Sequence, residues 1–383
     1  MVSCAALYAI SARLALARNE PDLPFGGINI IVAGDFAQLP PVGSPSLFCG
    51  DRLQVPDAIQ PKITIGKQKN AIGKIIWQQF TTVVILKQNM RQTKTSEADE
   101  NLRTCLANMR FGACTPSDLE YLRTRTISRR SGHPTFEDPR FRNVSIITAL
   151  NAQKDKINEI GCQKFADETN QPLVHFYSED TLTENAASES RKPQRVRKRE
   201  VLKVKRKLST HRQQQLWDAY PCSTSEHIPG KLSLCVGMPI MIHHNDATEL
   251  CITKGQEGTV VGWQESLGSQ DQTILDTLFV ELIKPPRPIR VPGLPMNVVA
   301  LTHGTKKLWC QLPDDLVVQV SREQVLVLPN FAMTDYASQG KTREFNVIDL
   351  NNCKTVPSSG WVNPSMSLRE VGLIRIKRIK QKS

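Results

Sequence analysis

Apolar residues at Leu7, Ile10, Leu14 and Ala17 recur at three- and four-residue spacing and predict an amphipathic helix over 5–17. Pro21 and Pro24 close that helix, and Gly26 and Gly27 turn the chain. The next run, 28–33, is short, apolar, rich in β-branched residues and bounded by glycine, the pattern of a buried parallel strand. Residues 81–86 and 144–149 repeat the pattern, and helix-compatible stretches lie between them at 96–109 and 117–125. Strands alternating with helices predict a layered α/β domain. From 232 to 328 the period changes: short β-type segments separated by Gly, Pro and polar turns predict a small β-barrel or sandwich. After Pro329, a helix over 331–340 and a strand at 345–350 are expected, so the α/β pattern resumes after an insertion.

The 383 residues, 40% hydrophobic and 22% charged, allow two or three domains with their own cores. No apolar run reaches the roughly 20 residues that span a bilayer, and the N-terminus lacks the basic lead and cleavage site of a secretory signal. A soluble protein without a membrane partner is expected. Ten cysteines are scattered with no C-x-x-C pair, so no metal site is signalled. His243 and His244, if they continue a strand, point to opposite faces and cannot chelate one ion together.

The net charge of +12 is concentrated. Between Arg191 and Lys207, ten of seventeen positions are Lys or Arg and Glu200 is the single acid, so this run carries +9 and the rest of the chain is near balance. Such a run is a solvated linker, a nuclear-import signal or a grip on an anionic polymer. It favours the nucleus, with the mitochondrion as the alternative.

The sharpest chemical signal is 24–42, PFGG, then the predicted strand, then GDFAQLPPV. A parallel strand delivers Gly34, Asp35 and Gln38 to its carboxyl end, where α/β sheets bind ligands. Gly34 leaves room for close approach, and Asp35 and Gln38 can hold a water or a phosphate oxygen. Gly340-Lys341-Thr342 mimics the end of a phosphate-cradling loop, but Asp335 stands where that loop needs its first glycine.

This string resembles motif III of superfamily-one helicases, and PFGG with its preceding helix resembles the petite-integration-frequency branch. Four further stretches are similar to that branch in order: LKQNMRQ at 86–92, IITALN at 146–151 with Asn158, LCVGMPIM at 234–241 with Asn245 and KGQEG at 254–258, and TDYASQGKT at 334–342. The likeness covers roughly 1–353 and extends to helicases of fungal Helitron-type transposons. It implies an α/β fold with RecA-like P-loop NTPase lobes: part of a first lobe over 1–88, a second lobe over 89–177 and 329–353, a basic linker over 178–231, an inserted small β-barrel over 232–328 and a divergent basic tail over 354–383.

The resemblance further implies an ATP-dependent DNA helicase moving 5′ to 3′ on single-stranded or forked DNA, in repair, recombination, telomere maintenance or transposition. Asp35, Gln38 and Arg91 would be catalytic and line one crevice. Gly34, Gln38, Arg91, Gln339 and Gly340 would face ATP with its magnesium, and Thr148, Asn151, Ser338, Gln339, Lys341 and Thr342 would meet DNA, with Gly340 helping to position the strand. The family's phosphate loop and magnesium-holding Asp-Glu pair do not occur within these 383 residues, and Arg369 does not match the family's second arginine finger. The chain by itself is therefore expected not to hydrolyse ATP, and the alternative is an inactive nucleic-acid-binding remnant of a transposon-encoded helicase. The sequence carries no signal for oligomeric state.

Overall fold

The computed structural model describes residues 2–48, 64–86, 96–128, 132–182, 208–313, 316–341, 343, 345–349 and the backbone of 375–376. The chain divides into two compact units, the first Met1–Tyr121 and the second Leu122–Thr355 with the 375–376 backbone. The first unit thus extends beyond the expected boundary at 88.

Helix α1, Cys4–Arg18, starts on Ser3, whose side chain accepts from the Ala6 amide, and stops at Asn19 in the left-handed conformation. Its buried face is Cys4, Leu7, Ser11 and Ala15, whereas Ile10 of the predicted face is 44% exposed. The helix packs on α2, Ile65–Gln78, which the sequence pattern did not predict. Gly73 allows that approach: a Cβ there would meet the Cys4 carbonyl oxygen at 1.8 Å. The PFGG turn closes over α1, with the Phe25 amide donating to Ser11 Oγ at 2.9 Å in a buried bond. Gly26 has φ +62 and a Cβ there would lie 2.8 Å from Arg18 Cβ, so this glycine is required by backbone and by space. Cys4, Leu7, Phe25, Leu47 and Ile76 form the core. Helices α3, Glu97–Arg110, and α4, Pro116–Thr124, fall where they are predicted.

The strands expected at 28–33 and 81–86 are not formed. Both runs are unpaired, with Ile31 95% and Leu86 90% exposed. A strand exists through backbone pairing with a neighbour, and the described residues of this unit include no paired ladder for them to join.

The second unit begins with β1, Thr126–Ile127, and β2, Ile146–Thr148, followed by the long helix α5, Asn151–Thr169. Then come β3, Val174–Tyr177, β4, Glu179–Leu182, and α6, Thr210–Asp218. Strands β5, Lys231–Leu234, β6, Pro239–Ile242, β7, Glu257–Leu267, β8, Thr273–Leu282, β9, Val298–Gln311, and β10, Val317–Val325, carry the β-rich region. The chain returns through β11, Val327–Pro329, β12, Ala332–Thr334, α7, Asp335–Ser338, and β13, Val347–Ile348, with β14 at Arg375–Ile376.

Two main sheets result. One is parallel, in the order β1-β14-β13-β2-β12, and α5 packs on it. The other is antiparallel, in the order β11-β6-β7-β8-β9-β10-β4, and β3 pairs β5 beside it. Among the described residues the expected barrel is therefore a seven-stranded sheet whose end strands are β11 and β4. Its core includes Ile240, Leu275, Leu278, Val280 and Val299, with Phe176 from β3, all fully buried. The helix expected over 331–340 is a strand followed by one helical turn, because residues 332–334 pair in parallel with β2.

The expected linker 178–231 is narrower than its bounds. Its ends supply β4 and α6, and Arg322 of β10 joins them. The Arg322 guanidinium donates Nε to Asp180 Oδ1 and Nη2 to Asp180 Oδ2, both at 2.8 Å. It also donates to the carbonyls of Ile228 at 2.9 Å and Leu216 at 3.1 Å. Both charged side chains are 0% exposed. The basic run 191–207 and the tail 354–383 lie outside the described residues, apart from the 375–376 backbone.

Asp180→Ala strands a buried guanidinium and should lower unfolding stability by about 3–5 kcal/mol in urea titrations, whereas replacing the pair together by Asp180→Leu and Arg322→Met should recover most of the loss. Equal losses in the single and double variants would remove the pair from this role.

Candidate functional site

In the first unit, the loop after residue 33 places Gly34, Asp35 and Gln38. The Asp35 carboxylate accepts the Ala37 amide at 3.0 Å, and the Gln38 amide donates to the Asp35 carbonyl at 3.1 Å, so the motif is a tight turn built on Asp35. A Cβ at Gly34 would have no heavy atom within 4 Å, so open space lies beside it. The same carboxylate is gripped by Arg110 at the end of α3, Nη1 to Oδ2 at 2.8 Å and Nη2 to Oδ1 at 2.7 Å. This bidentate pair is only partly exposed, 31% for Arg110 and 23% for Asp35. No sequence motif marked Arg110; its position in the last turn of a helix was the one available signal. Arg91, which was expected to share a crevice with Asp35 and Gln38, lies outside the described residues.

In the second unit, β2 and β12 run in parallel register, Thr148 opposite Thr334. Their carboxyl ends therefore open at one edge of the sheet, and α5 leaves from one strand while α7 leaves from the other. This brings Asn151 at the start of α5 and the Ser338–Gly340 turn after α7 to the same edge. Thr148 is 1% exposed and its Oγ1 hydroxyl donates to Gln153 Oε1 at 2.6 Å, so it orients Gln153 beside Asn151. The Ser338 hydroxyl, in a 7% exposed residue, donates to the Asp335 carbonyl at 2.8 Å and closes the α7 turn. Gly340 has φ +84, a left-handed backbone that glycine adopts readily. Asn158 fastens α5 to the sheet edge, donating to and accepting from the backbone of Ala332 at 3.3 and 2.8 Å.

Lys341 is a strut. Its Nζ donates to Gly255 O at 2.7 Å and to Glu257 Oε1 at 2.6 Å, and lies 3.7 Å from Met241 Sδ. Arg343 binds the same Glu257 oxygen. Burial pushes the Lys341 ammonium down to about 8 and the Arg343 guanidinium down to about 10, with the Glu257 carboxylate as their common counter-charge. Lys341, expected to meet DNA, is thus engaged with β7 and with the turn before it. Thr342 lies outside the described residues. Gly340 and Lys341 come after a helical turn rather than opening a helix, so they do not offer the amide cradle of a phosphate loop.

His243 and His244 take separate partners, the Glu226 carbonyl at 2.9 Å and Lys306 Nζ at 2.9 Å. Among the described residues no group of three or more His, Cys, Asp or Glu is placed to hold a metal ion, and no helix is long and apolar enough to cross a membrane.

Residues 5–118, which hold the PFGG turn, the Asp35 loop and Arg110, match the PIF1-like helicase family. The chain is 22% identical over 349 residues to the ATP-dependent DNA helicase PIF6 of Trypanosoma brucei brucei, covering 88% of this chain and 34% of that protein. The chain therefore spans about a third of the length of this curated relative. Its fold is similar to the Pif1 helicase of Candida albicans, with TM-score 0.53 and 18% identity over 99% of this chain and 71% of that one. It is also similar to a Pif1 helicase from Bacteroides in complex with ADP-AlF3 and single-stranded DNA, with TM-score 0.54 and 18% identity over 97% and 67% of the two chains. These likenesses show for this chain the α/β fold of the solved Pif1 helicases.

Two outcomes test the geometry. A double-mutant cycle of Asp35→Asn and Arg110→Gln should give a coupling on the order of 1 kcal/mol in unfolding stability; additive losses would show that the two side chains do not act together. Folded Lys341 releases its proton near pH 8, whereas an unfolded lysine holds it to about 10.5. The unfolded chain then binds more protons between these values, so this group's contribution to stability rises with pH across that window. Lys341→Met should remove that rise when urea unfolding is compared at pH 7.5 and 9.5.

Proposed function

We propose that this chain acts within an ATP-dependent DNA helicase, its second unit holding single-stranded DNA along the carboxyl edge of β2 and β12. The observation that carries this is the parallel register of those strands, which brings Asn151, Gln339 and Gly340 to one edge although about 190 residues of chain separate them. Backbone turns and amide side chains suit a polymer read through its backbone, since a motor must hold every sequence alike. Similar solved structures, a Bacteroides Pif1 bound to single-stranded DNA and two coordinating Pif1 helicases at forked double-stranded DNA, support the same ligand class. Movement 5′ to 3′ and work in repair, recombination, telomere maintenance or transposition belong to the same proposal.

ATP and magnesium belong to the whole machine in this reading. Gly34, Asp35 and Gln38 alone do not form a nucleotide pocket: Asp35 is spanned by Arg110, and a phosphate-cradling loop with its lysine does not occur within the 383 residues.

Fluorescence anisotropy with a labelled oligothymidylate tests the DNA edge. Binding should weaken steeply with salt, and Asn151→Ala and Gln339→Ala should each weaken it about tenfold, the loss of one hydrogen bond to a charged phosphate. The same preparations should show no DNA-stimulated ATP hydrolysis above background. Turnover of about 1 per second, an ordinary enzymatic rate, would show that the chain alone is a complete motor; unchanged affinity in both variants would move the DNA elsewhere.

A further inference from the structure

The turn that carries Gln339 and Gly340 is held from two sides. Gln339 has φ −60 and ψ 131, Gly340 has φ +84, and the Lys341 amide donates to the Ser338 carbonyl at 3.1 Å. These angles and the closing bond make a type II turn, in which glycine takes the third place. On one side the turn grows out of α7. That helical turn is fastened by the Ser338 hydroxyl on the Asp335 carbonyl and by the Ala337 amide on Thr334 Oγ1 at 3.3 Å. Thr334 belongs to β12, so this anchor leads to the parallel sheet.

On the other side the anchor is Glu257. Its backbone is locked in the antiparallel sheet: Glu257 pairs with Met241 of β6, and its carbonyl accepts the Ile283 amide at 2.9 Å and Gln256 Nε2 at 3.0 Å. Its Oε1 accepts Lys341 Nζ at 2.6 Å and also accepts from Arg343. The Gly255 carbonyl takes the same ammonium at 2.7 Å. The side chains of Lys341, Glu257 and Arg343 are 20%, 22% and 15% exposed, so these charge-assisted bonds are largely shielded from water. Lys341 is the last residue of the turn and Arg343 follows two places later. Both are drawn onto one oxygen, so withdrawing that carboxylate releases the exit of the turn at two points together.

We propose that Glu257 is a positioning residue for DNA: from the start of β7 it fixes the exit of the Ser338–Lys341 turn, and with it the place where Gln339 and Gly340 meet the single strand. This rests on the DNA-holding reading, and it gives the KGQEG segment at 254–258 a role in the edge although it lies in the β-rich region. Glu257 is not itself a DNA contact, because a carboxylate repels a phosphate. Its contribution passes through Lys341 and Arg343. The signature is a loss of affinity that appears only while the turn still binds.

Amide hydrogen exchange and oligothymidylate anisotropy on the full chain test this. Without DNA, Glu257→Gln should speed exchange of the Lys341 amide about tenfold, while the amides of α1 keep their parental rates. The same variant should weaken oligothymidylate binding about tenfold. Glu257→Asp, which keeps the charge, should recover most of both. In a Gln339→Ala background, Glu257→Gln should cost less than about twofold more, because the two changes act on one turn. Parental exchange with parental affinity in Glu257→Gln overturns the proposal, as does a full additive loss in the Gln339→Ala background. Faster exchange in Glu257→Gln, with Asn151→Ala and Gln339→Ala binding oligothymidylate as the parent does, shows that Glu257 holds the turn but sinks the DNA-holding reading, and the positioning role with it.

Discussion

The second unit depends on one buried ion pair, Arg322 with Asp180. A guanidinium with no exposed surface is tolerable only when its donors are met, and here four bonds reach three separate stretches of chain. Asp180 belongs to β4, before the basic run, and Leu216 belongs to α6, after it. The pair thus closes the fold across that run whatever the run itself does. It also fixes β10, and β10 leads within two residues into β11 and then β12. The strand that carries the α7 turn is therefore anchored through the same guanidinium.

From there the geometry is passed on by register. β12 lies beside β2 with Thr334 opposite Thr148, so the segments leaving the two strands emerge side by side. Small side-chain bonds then refine the edge: Thr148 orients Gln153, Ser338 closes its own turn, and Asn158 ties α5 to Ala332. Lys341 and Arg343 reach the other way, onto Glu257 at the start of β7. A shift of the β-rich sheet must therefore either carry the Gln339–Gly340 turn with it or break two charged contacts to one carboxylate. Such coupling needs no long path; it is one oxygen shared by two cations.

How much of this was legible depends on the range of the interaction that forms each element. Helix α1, the α3 and α4 helices and the β-rich strands rest on local periodicity and fall near their predicted places. Even there the buried face of α1 turned to include Ser11, because the PFGG turn supplies a backbone donor that apolar spacing cannot register. The runs 28–33 and 81–86 have the composition of strands but not the structure, since composition does not provide a neighbour. Residues 332–334 show the converse, a stretch read as helix that becomes strand because β2 is beside it. At the site, the Asp35 turn was visible as a motif, while Arg110 and Glu257 were not. Each of these depends on a partner far away in sequence, and no single-sequence pattern encodes that.

The distribution of charge separates two kinds of grip. Most of the net charge lies in 191–207, and the folded remainder is near balance. A polyanion is therefore not held on the folded part by a broad positive field, and attraction of that kind belongs to the basic run. The folded edge can offer only local contacts: turns, amide side chains, and small clusters in which a few cations outnumber their acids. Lys341 with Arg343 makes one such cluster. Glu257 receives both of its cations and converts it into a joint between elements.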